Sequence, residues 1–425
     1  VEVQPNHKRK NFWKMLGPGI TTGAADDDPS GIATYSQVGA ARGLGLIWVS
    51  LFSLPLLGVV QDMTARIGLV TGVGLAKNIK RHYSKTILYL CAFMLLVANV
   101  FNIGADLGAM AKATELIIPG APFAPLVIFF ALLSLALQVF IPYKKYSQYL
   151  KYLTIVLFVY VFSAFSIKAD WWSVMNHTIN PEFHFSFDEV LLLCAVLGTT
   201  ISPYLFFWQT SQEVEEEILH GEKTEKMRRA STTPEMVRDM RVDVWSGAIV
   251  SNVVAFFIIA TCALTLFPNG VFEITTAADA ASAIRPFAGD LAYFLFTVGI
   301  LGTGLLAIPV LAGSASYAIS EAFGWKEGLY HKPKGARAFY GIIALSMVLG
   351  ILLNFVGLDP IKSLFYSAVL NGIVAPFILF FILKLSDNDK VMGQFKNKPF
   401  TRFIGWLTFF VMAVVGLFTI YSFFI

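Results

Sequence analysis

Gly17-Pro18-Gly19 is followed four residues later by Gly23-Ala24-Ala25-Asp26-Asp27-Asp28-Pro29-Ser30-Gly31, and the reading of the whole chain turns on this stretch. Apolar sequence flanks it on the C-terminal side, yet it carries three consecutive acids and two prolines. Proline lacks an N–H and clashes with the preceding helical turn. The residue before it is pushed into extended backbone. A helix over about 14–38 must therefore break at Asp28-Pro29, with carboxylates at the break.

The rest of the chain makes this break a membrane problem. Of 425 residues, 56% are apolar or aromatic and 14% charged, with a mean hydropathy of +0.66. A soluble chain carries charge at about a quarter of its positions. A hydrocarbon core needs about 20 mostly apolar residues per helix. Eleven such segments are predicted, near 14–38, 44–68, 84–110, 122–141, 150–168, 188–212, 242–266, 288–321, 337–355, 361–383 and 403–424, with ends good to about three residues. The expected architecture is an all-α membrane protein forming one transmembrane domain over residues 1–425. Cys91, Cys194 and Cys262 lie in separate apolar runs and give neither a disulfide framework nor metal-ligand spacing. No cleavable signal peptide is read at Val1–Lys10, which is polar and basic.

Basic residues orient the segments. With the N-terminus inside, 27 of the 32 Lys and Arg fall on the inner side, and only Arg42, Lys112, Lys168, Arg285 and Lys362 fall outside. Inner loops of membrane proteins carry this excess. The expectation is a multi-pass protein of the cell membrane, surrounded by lipid, with a cytoplasmic N-terminus and an extracellular C-terminus. The longest inner loop, about 213–241, holds Glu213, Glu215, Glu216 and Glu217 and reads as a solvated connector of mixed charge.

A second segment is also broken. Leu197-Gly198-Thr199-Thr200-Ile201-Ser202-Pro203-Tyr204 places a proline and small hydroxyl residues in mid-span. The two breaks open two five-span blocks, about 12–168 and 188–384, of opposite topology, with the eleventh segment at 403–424 outside them. Interrupted segments at matching positions of inverted repeats point to a transporter's substrate site. Irregular backbone survives at membrane depth only where it lines a buried cavity. An intramembrane Asp costs about 2.5–3.5 kcal/mol, so three together call for cation compensation or water. Carboxylates with backbone carbonyls are hard oxygen ligands, suited to Mg²⁺, Ca²⁺ or Mn²⁺.

Gly17-Pro18-Gly19 and Asp28-Pro29-Ser30-Gly31, followed by Thr34 and Gly39, resemble the first-segment motif of the NRAMP divalent-metal transporters, which read Asp-Pro-Gly-Asn there. Ala65-Arg66-Ile67-Gly68 with Thr71-Gly72, Ala105-Asp106-Leu107, and Pro376-Phe377 extend the resemblance through ten segments. It implies a LeuT-like fold with a 5+5 inverted repeat, broken helices 1 and 6, and import of a divalent cation by alternating access. Carried over, the cation ligands are the Asp28 carboxylate and the carbonyls of Ala25 and Thr199, with Ser202, Asp27 and Gly31 at the ion. Asp26, Ser30, Tyr204 and Asn371 border the site, and Asp106 is the remnant of a proton path.

Departures from the family pattern matter as much. Gly31 stands where the binding asparagine is expected, and Ser202-Pro203-Tyr204 stands for Met-Pro-His. Loss of the thioether removes a soft ligand and opens space. Tyr204 does not titrate near neutrality as imidazole does, and Ala109 replaces a relay glutamate. Both changes resemble the NRAMP-related magnesium transporter branch, with Mg²⁺ first, Mn²⁺ and Fe²⁺ next, and weak or no proton coupling. The alternative is a LeuT-like carrier of amino acids or organic cations, with Phe206, Phe207 and Trp208 as its aromatic pocket. An enzyme is not expected, since none of the six histidines lies in a predicted span and no catalytic motif appears. The cation is cargo, no other cofactor or nucleic acid is implied, and an oligomer is not required. Asp62 and Arg66, four apart, are expected to pair structurally.

Overall fold

The computed structural model describes residues 17–141, 158–167, 169–184 and 186–424, and their regular structure is helical throughout. The first segment is two helices, α1 (Pro18–Asp26) and α2 (Pro29–Arg42). Then come α3 (Trp48–Thr71), α4 (Leu75–His82), α5 (Lys85–Ile117), α6 (Phe123–Phe140) and α7 (Phe158–Ser166). The sixth segment is again two helices, α8 (Phe187–Thr200) and α9 (Pro203–Leu219). The chain continues through α10 (Glu225–Ser231), α11 (Pro234–Thr265), α12 (Ala292–Phe323), α13 (Arg337–Leu353), α14 (Pro360–Ser386) and α15 (Pro399–Ser422).

Each predicted segment except the fifth coincides with one of these helices or pairs of helices. The first half of the fifth, 150–157, lies outside the described residues, as do the N-terminal basic stretch and Lys144, Lys145, Lys151 and Lys168. Eight described helical stretches have the length and apolarity to cross a membrane. The first segment is not among them, because its break leaves halves of 9 and 14 residues with acids between.

One expectation fails. The acids from Glu213 to Glu217 are not in a solvated connector: α9 runs on to Leu219, and Glu213, Glu215 and Glu217 are buried. The loop shrinks further because α11 begins at Pro234, with Thr233 as its N-cap. Charge runs usually mark wet faces, but Glu213 and Glu215 are held by hydrogen bonds, and Glu217 has the Arg228 charge nearby. Gln209 donates to Glu213 at 2.8 Å, and the Leu329 N–H and Tyr317 hydroxyl donate to Glu215.

Packing divides the helices into two groups. α11 packs against α1, α2 and α3, whereas α5 packs against α12, α13 and α14. The first group is backbone-close: a Cβ on Gly23 would lie 2.5 Å from the Gly247 backbone, and one on Gly19 2.6 Å from Val244 N. Small residues let membrane helices approach in this way. Asp62 and Arg66 pair at 3.1 Å as expected, and Arg241 of α11 adds a second contact to Asp62 at 2.7 Å.

Candidate functional site: the paired helix breaks

Both breaks are built by the same local chemistry. Asp28 is the N-cap of α2, with φ −69° and ψ 173°, and Pro29 opens the helix where its missing N–H costs nothing. Asp28 Oδ1 accepts from the Gly31 N–H and the Ser30 hydroxyl, each at 2.7 Å. Asp26 ends α1 and Asp27 is its C-cap. Two carboxylates thus sit at the carbonyl end of a helix, where the dipole disfavours anions and favours a cation. In the second break Ile201 and Ser202 separate the halves and Pro203 opens α9. The Ser202 hydroxyl donates back into α8, to the carbonyls of Gly198 at 2.8 Å and Thr199 at 2.7 Å.

The two breaks face each other. The Tyr204 hydroxyl donates to the Ala25 carbonyl at 2.9 Å, and the hydroxyls of Tyr35 and Thr200 lie 3.0 Å apart. Thr199 Oγ1 lies 3.1 Å from where a Cβ on Gly31 would stand. Asp26, Asp27, Asp28, Thr199, Ser202 and Tyr204 are all at most 1% exposed, so the site is closed to solvent. Two cavities stop short of it from opposite ends. One of about 450 Å³ is lined by Ala33, Gln37 and Arg42 of α2 with Asp188 of α8. The other, about 190 Å³, is lined by Ser211 and Glu215 of α9 with Lys77 and Glu321. Glu327, on the loop beside the second cavity, has its carboxyl pushed up by burial, with Lys77 opposing.

Residues foreseen from the sequence therefore gather at one place, with three differences in role. Ala25 and Thr199 offer carbonyls that already accept from Tyr204 and Ser202. Gly31 contributes a backbone N–H to Asp28, and the room its missing side chain leaves is filled by Thr199 Oγ1 rather than open. Asn371 bonds across to α5. Phe206, Phe207 and Trp208 are packed at 0–1% exposure, with Trp208 edge-on to Tyr317.

Four residues at or beside the site were not foreseen. Asn102, on α5, donates to Asp28 Oδ2 at 2.9 Å and to Asp106 Oδ2 at 3.1 Å. Ser251 of α11 places one hydroxyl 2.8 Å from Asp26 Oδ2 and 3.2 Å from Asp27 Oδ1. Tyr35 joins the breaks, and Asp243 of α11 accepts the N–H groups of Gly17, Gly19 and Ile20, capping α1 from outside its own sequence. An asparagine one turn before Asp106 in an apolar run was a usable signal. A serine or tyrosine in a membrane helix is too common to be one.

Two half-helices meeting at a closed acidic centre, within a bundle of membrane-length helices, are the arrangement of a multi-pass transporter of LeuT-like fold. The chain belongs to the Nramp family (Natural resistance-associated macrophage protein-like), whose pattern matches residues 19–422. It is 25% identical to the divalent metal cation transporter MntH of Caldanaerobacter subterraneus subsp. tengcongensis over 96% of this chain and 93% of that protein. Identity to the Bacillus subtilis (strain 168) protein of the same name is also 25%, covering 97% and 92% of the two chains. In fold it is similar to the Eremococcus coleocola manganese transporter, with a TM-score of 0.74 at 20% identity, covering 99% of this chain and 89% of that one. The nucleobase-cation-symport-1 family transporter Mhp1 shares the fold more distantly, with a TM-score of 0.56 at 13% identity over 96% and 91% of the chains.

Proposed function

We propose that this chain imports divalent metal cations by alternating access, holding the cation where the two breaks meet. One observation carries the reading. Asp26, Asp27 and Asp28 are buried together, and among the described residues no Lys, Arg or His forms an ion pair with any of them. Buried charge without a partner is costly, and a multivalent cation is a partner that relieves buried carboxylates where no basic side chain does. The names of the MntH relatives and of the manganese transporter support the same cargo class.

The finer reading follows from the donor set. Asp28, Asp27 and the Ala25 and Thr199 carbonyls, with Ser202 beside them, are oxygen donors, and no thioether stands at the Ser202 position. Oxygen sets favour hard ions, so Mg²⁺ comes first, with Mn²⁺ and Fe²⁺ accepted. Tyr204 and Ala109 stand where imidazole and carboxylate would serve a proton path, and coupling to protons is weak or absent. The chain sits in the cell membrane as two inverted five-span blocks plus an eleventh segment, with the N-terminus cytoplasmic and the C-terminus outside. The donors all come from one chain, so no oligomer is needed.

Uptake of Mg²⁺ by reconstituted vesicles tests this. It should be abolished by Asp28→Ala and be insensitive to an imposed pH gradient. Robust Mn²⁺ uptake with neither Mg²⁺ uptake nor competition by Mg²⁺ would refute the hard-ion preference.

A further inference from the structure

Asn102 stands on α5 one turn before Asp106, at 0% exposure, and every polar atom of its amide is engaged. An amide nitrogen has two hydrogens. One goes to Asp28 Oδ2 and the other to Asp106 Oδ2, while Asn102 Oδ1 accepts from Asn371 Nδ2 at 3.1 Å. The chemistry fixes both amides. An oxygen turned toward two carboxylates would be repelled, so Asn102 must present its nitrogen to them. Its oxygen then faces α14, and Asn371 must answer with nitrogen. Asn371 Oδ1 is left buried with no hydrogen-bond partner among the described residues, and so is Asp106 Oδ1.

These atoms form a connected set. Asp28 belongs to the helices packed on α11, whereas Asn102, Asp106 and Asn371 belong to those packed around α5. A carboxylate has about four lone-pair sites. Asp28 uses three, two on Oδ1 and one on Oδ2, so it can bind a cation without releasing Asn102. Asn102 turns its nitrogen to the two carboxylates and its oxygen to Asn371, so it offers a cation at Asp28 no oxygen of its own.

We propose that Asn102 is a positioning residue of the cation site: it ties Asp28, Asp106 and Asn371 into one constellation, in which Asn371 Oδ1 and Asp106 Oδ1 are further oxygen ligands for a hard divalent cation. This rests on the divalent-cation reading of the breaks. It makes Asp106 a cation ligand rather than the remnant of a proton path, and it makes Asn371 a ligand rather than a border residue.

The test uses the full chain in vesicles and measures Mn²⁺ uptake against concentration. Asn102→Leu keeps the shape and removes the donors. It should raise KM about tenfold or more, the worth of a hydrogen bond to a charged group, with the maximal rate little changed. Asn102→Gln should recover part of the loss. Asn371→Leu should raise KM as well, and the two effects should be less than additive in the double variant, because Asn102→Leu already leaves Asn371 without the hydrogen bond that presents its oxygen.

Asn371→Cys gives a readout that a helix-packing role would not move. A thiolate ligand should shift the uptake ratio of Cd²⁺ to Mg²⁺ toward Cd²⁺, and this arm decides the matter if Asn102→Leu does not fold. An unchanged ratio, additive effects, or a fall in maximal rate at constant KM would each overturn the proposal. If the unaltered protein takes up no divalent cation, or Asp28→Ala takes it up normally, the divalent reading itself falls, which is a separate result.

Discussion

Gly31 is where the family's binding asparagine would stand, and the structure explains why a simple reversion should fail. A Cβ there would lie 3.1 Å from Thr199 Oγ1, 3.3 Å from the Asp26 carbonyl and 3.5 Å from Asp28 Oδ1. The first two distances are shorter than ordinary carbon–oxygen contact, and two of the three neighbours are backbone or a hydrogen-bonded carboxylate. Thr199 is the side chain free to yield, but it is buried and β-branched, with a restricted χ1. Forcing it about 30° off its rotamer costs about 0.5–1.5 kcal/mol, and overpacking in general about 1–3 kcal/mol. Relief from the glycine's backbone entropy returns at most about 1 kcal/mol. Gly31→Ala should therefore destabilise by about 1–2 kcal/mol, and Gly31→Asn by more.

Thr199→Ala removes the obstructing hydroxyl and methyl. The double variant Gly31→Ala/Thr199→Ala should be more stable than the sum of the single changes, by about 1–2 kcal/mol of coupling. Thermal unfolding of the four purified proteins in one detergent reads this cycle. The midpoint of Gly31→Ala should fall by on the order of 2 °C and the double variant should recover most of it. Additivity within about 0.5 kcal/mol, or a Gly31→Ala protein as stable as the parent, would show that Thr199 does not fill the space beside Gly31.

Three further outcomes are expected. Asp243→Ala removes the carboxylate that holds three N–H groups of the α1 entry at 2.6–3.1 Å. It should cost at least about 2 kcal/mol and raise hydrogen exchange over residues 17–26 selectively; uniform exchange would refute the capping role. Asp62→Ala leaves Arg66, 1% exposed, without its carboxylate. A loss of about 3–5 kcal/mol is expected from the unpaired buried charge, and Asp62→Ala/Arg66→Met should recover much of it if that charge is the cause.

The pair of Arg81 with Glu225 joins α4 to α10 at 2.6 and 2.7 Å, and the guanidinium holds the Glu225 carboxyl below its usual range. A depressed carboxyl stabilises above its unfolded pKa and loses that contribution as pH falls through its folded one. Arg81→Ala should thus cost under about 1 kcal/mol at pH 7, since the pair is largely exposed. The difference from the parent should shrink as pH falls below the ordinary carboxylate range; a difference in unfolding midpoint that stays constant from neutral pH into strong acid would contradict this.

Much of the architecture was legible because membrane insertion constrains sequence locally. Lipid offers no hydrogen bonds, so each span must be an apolar helix, and each interruption must carry its own chemistry within a few residues. Asp28-Pro29 and Ser202-Pro203 do so: an extended residue, then a proline at the first helical position. Burial of Glu213 and Glu215 was not legible, because their partners Gln209, Tyr317 and the Leu329 N–H come partly from segments over 100 residues away. A run of glutamates looks the same in sequence whether it is wet or buried.

The site divides along the same line. The acids were visible because three charges in an apolar span are expensive wherever they point. What each acid does depends on the helix it meets, and the three meet different ones. Asp28 turns to Ser30 and Gly31 of its own helix and to Asn102 of α5. Asp26 and Asp27 share Ser251 of α11, each keeping one oxygen without a hydrogen-bond partner among the described residues. The run of three therefore straddles the seam between the two packed groups of helices.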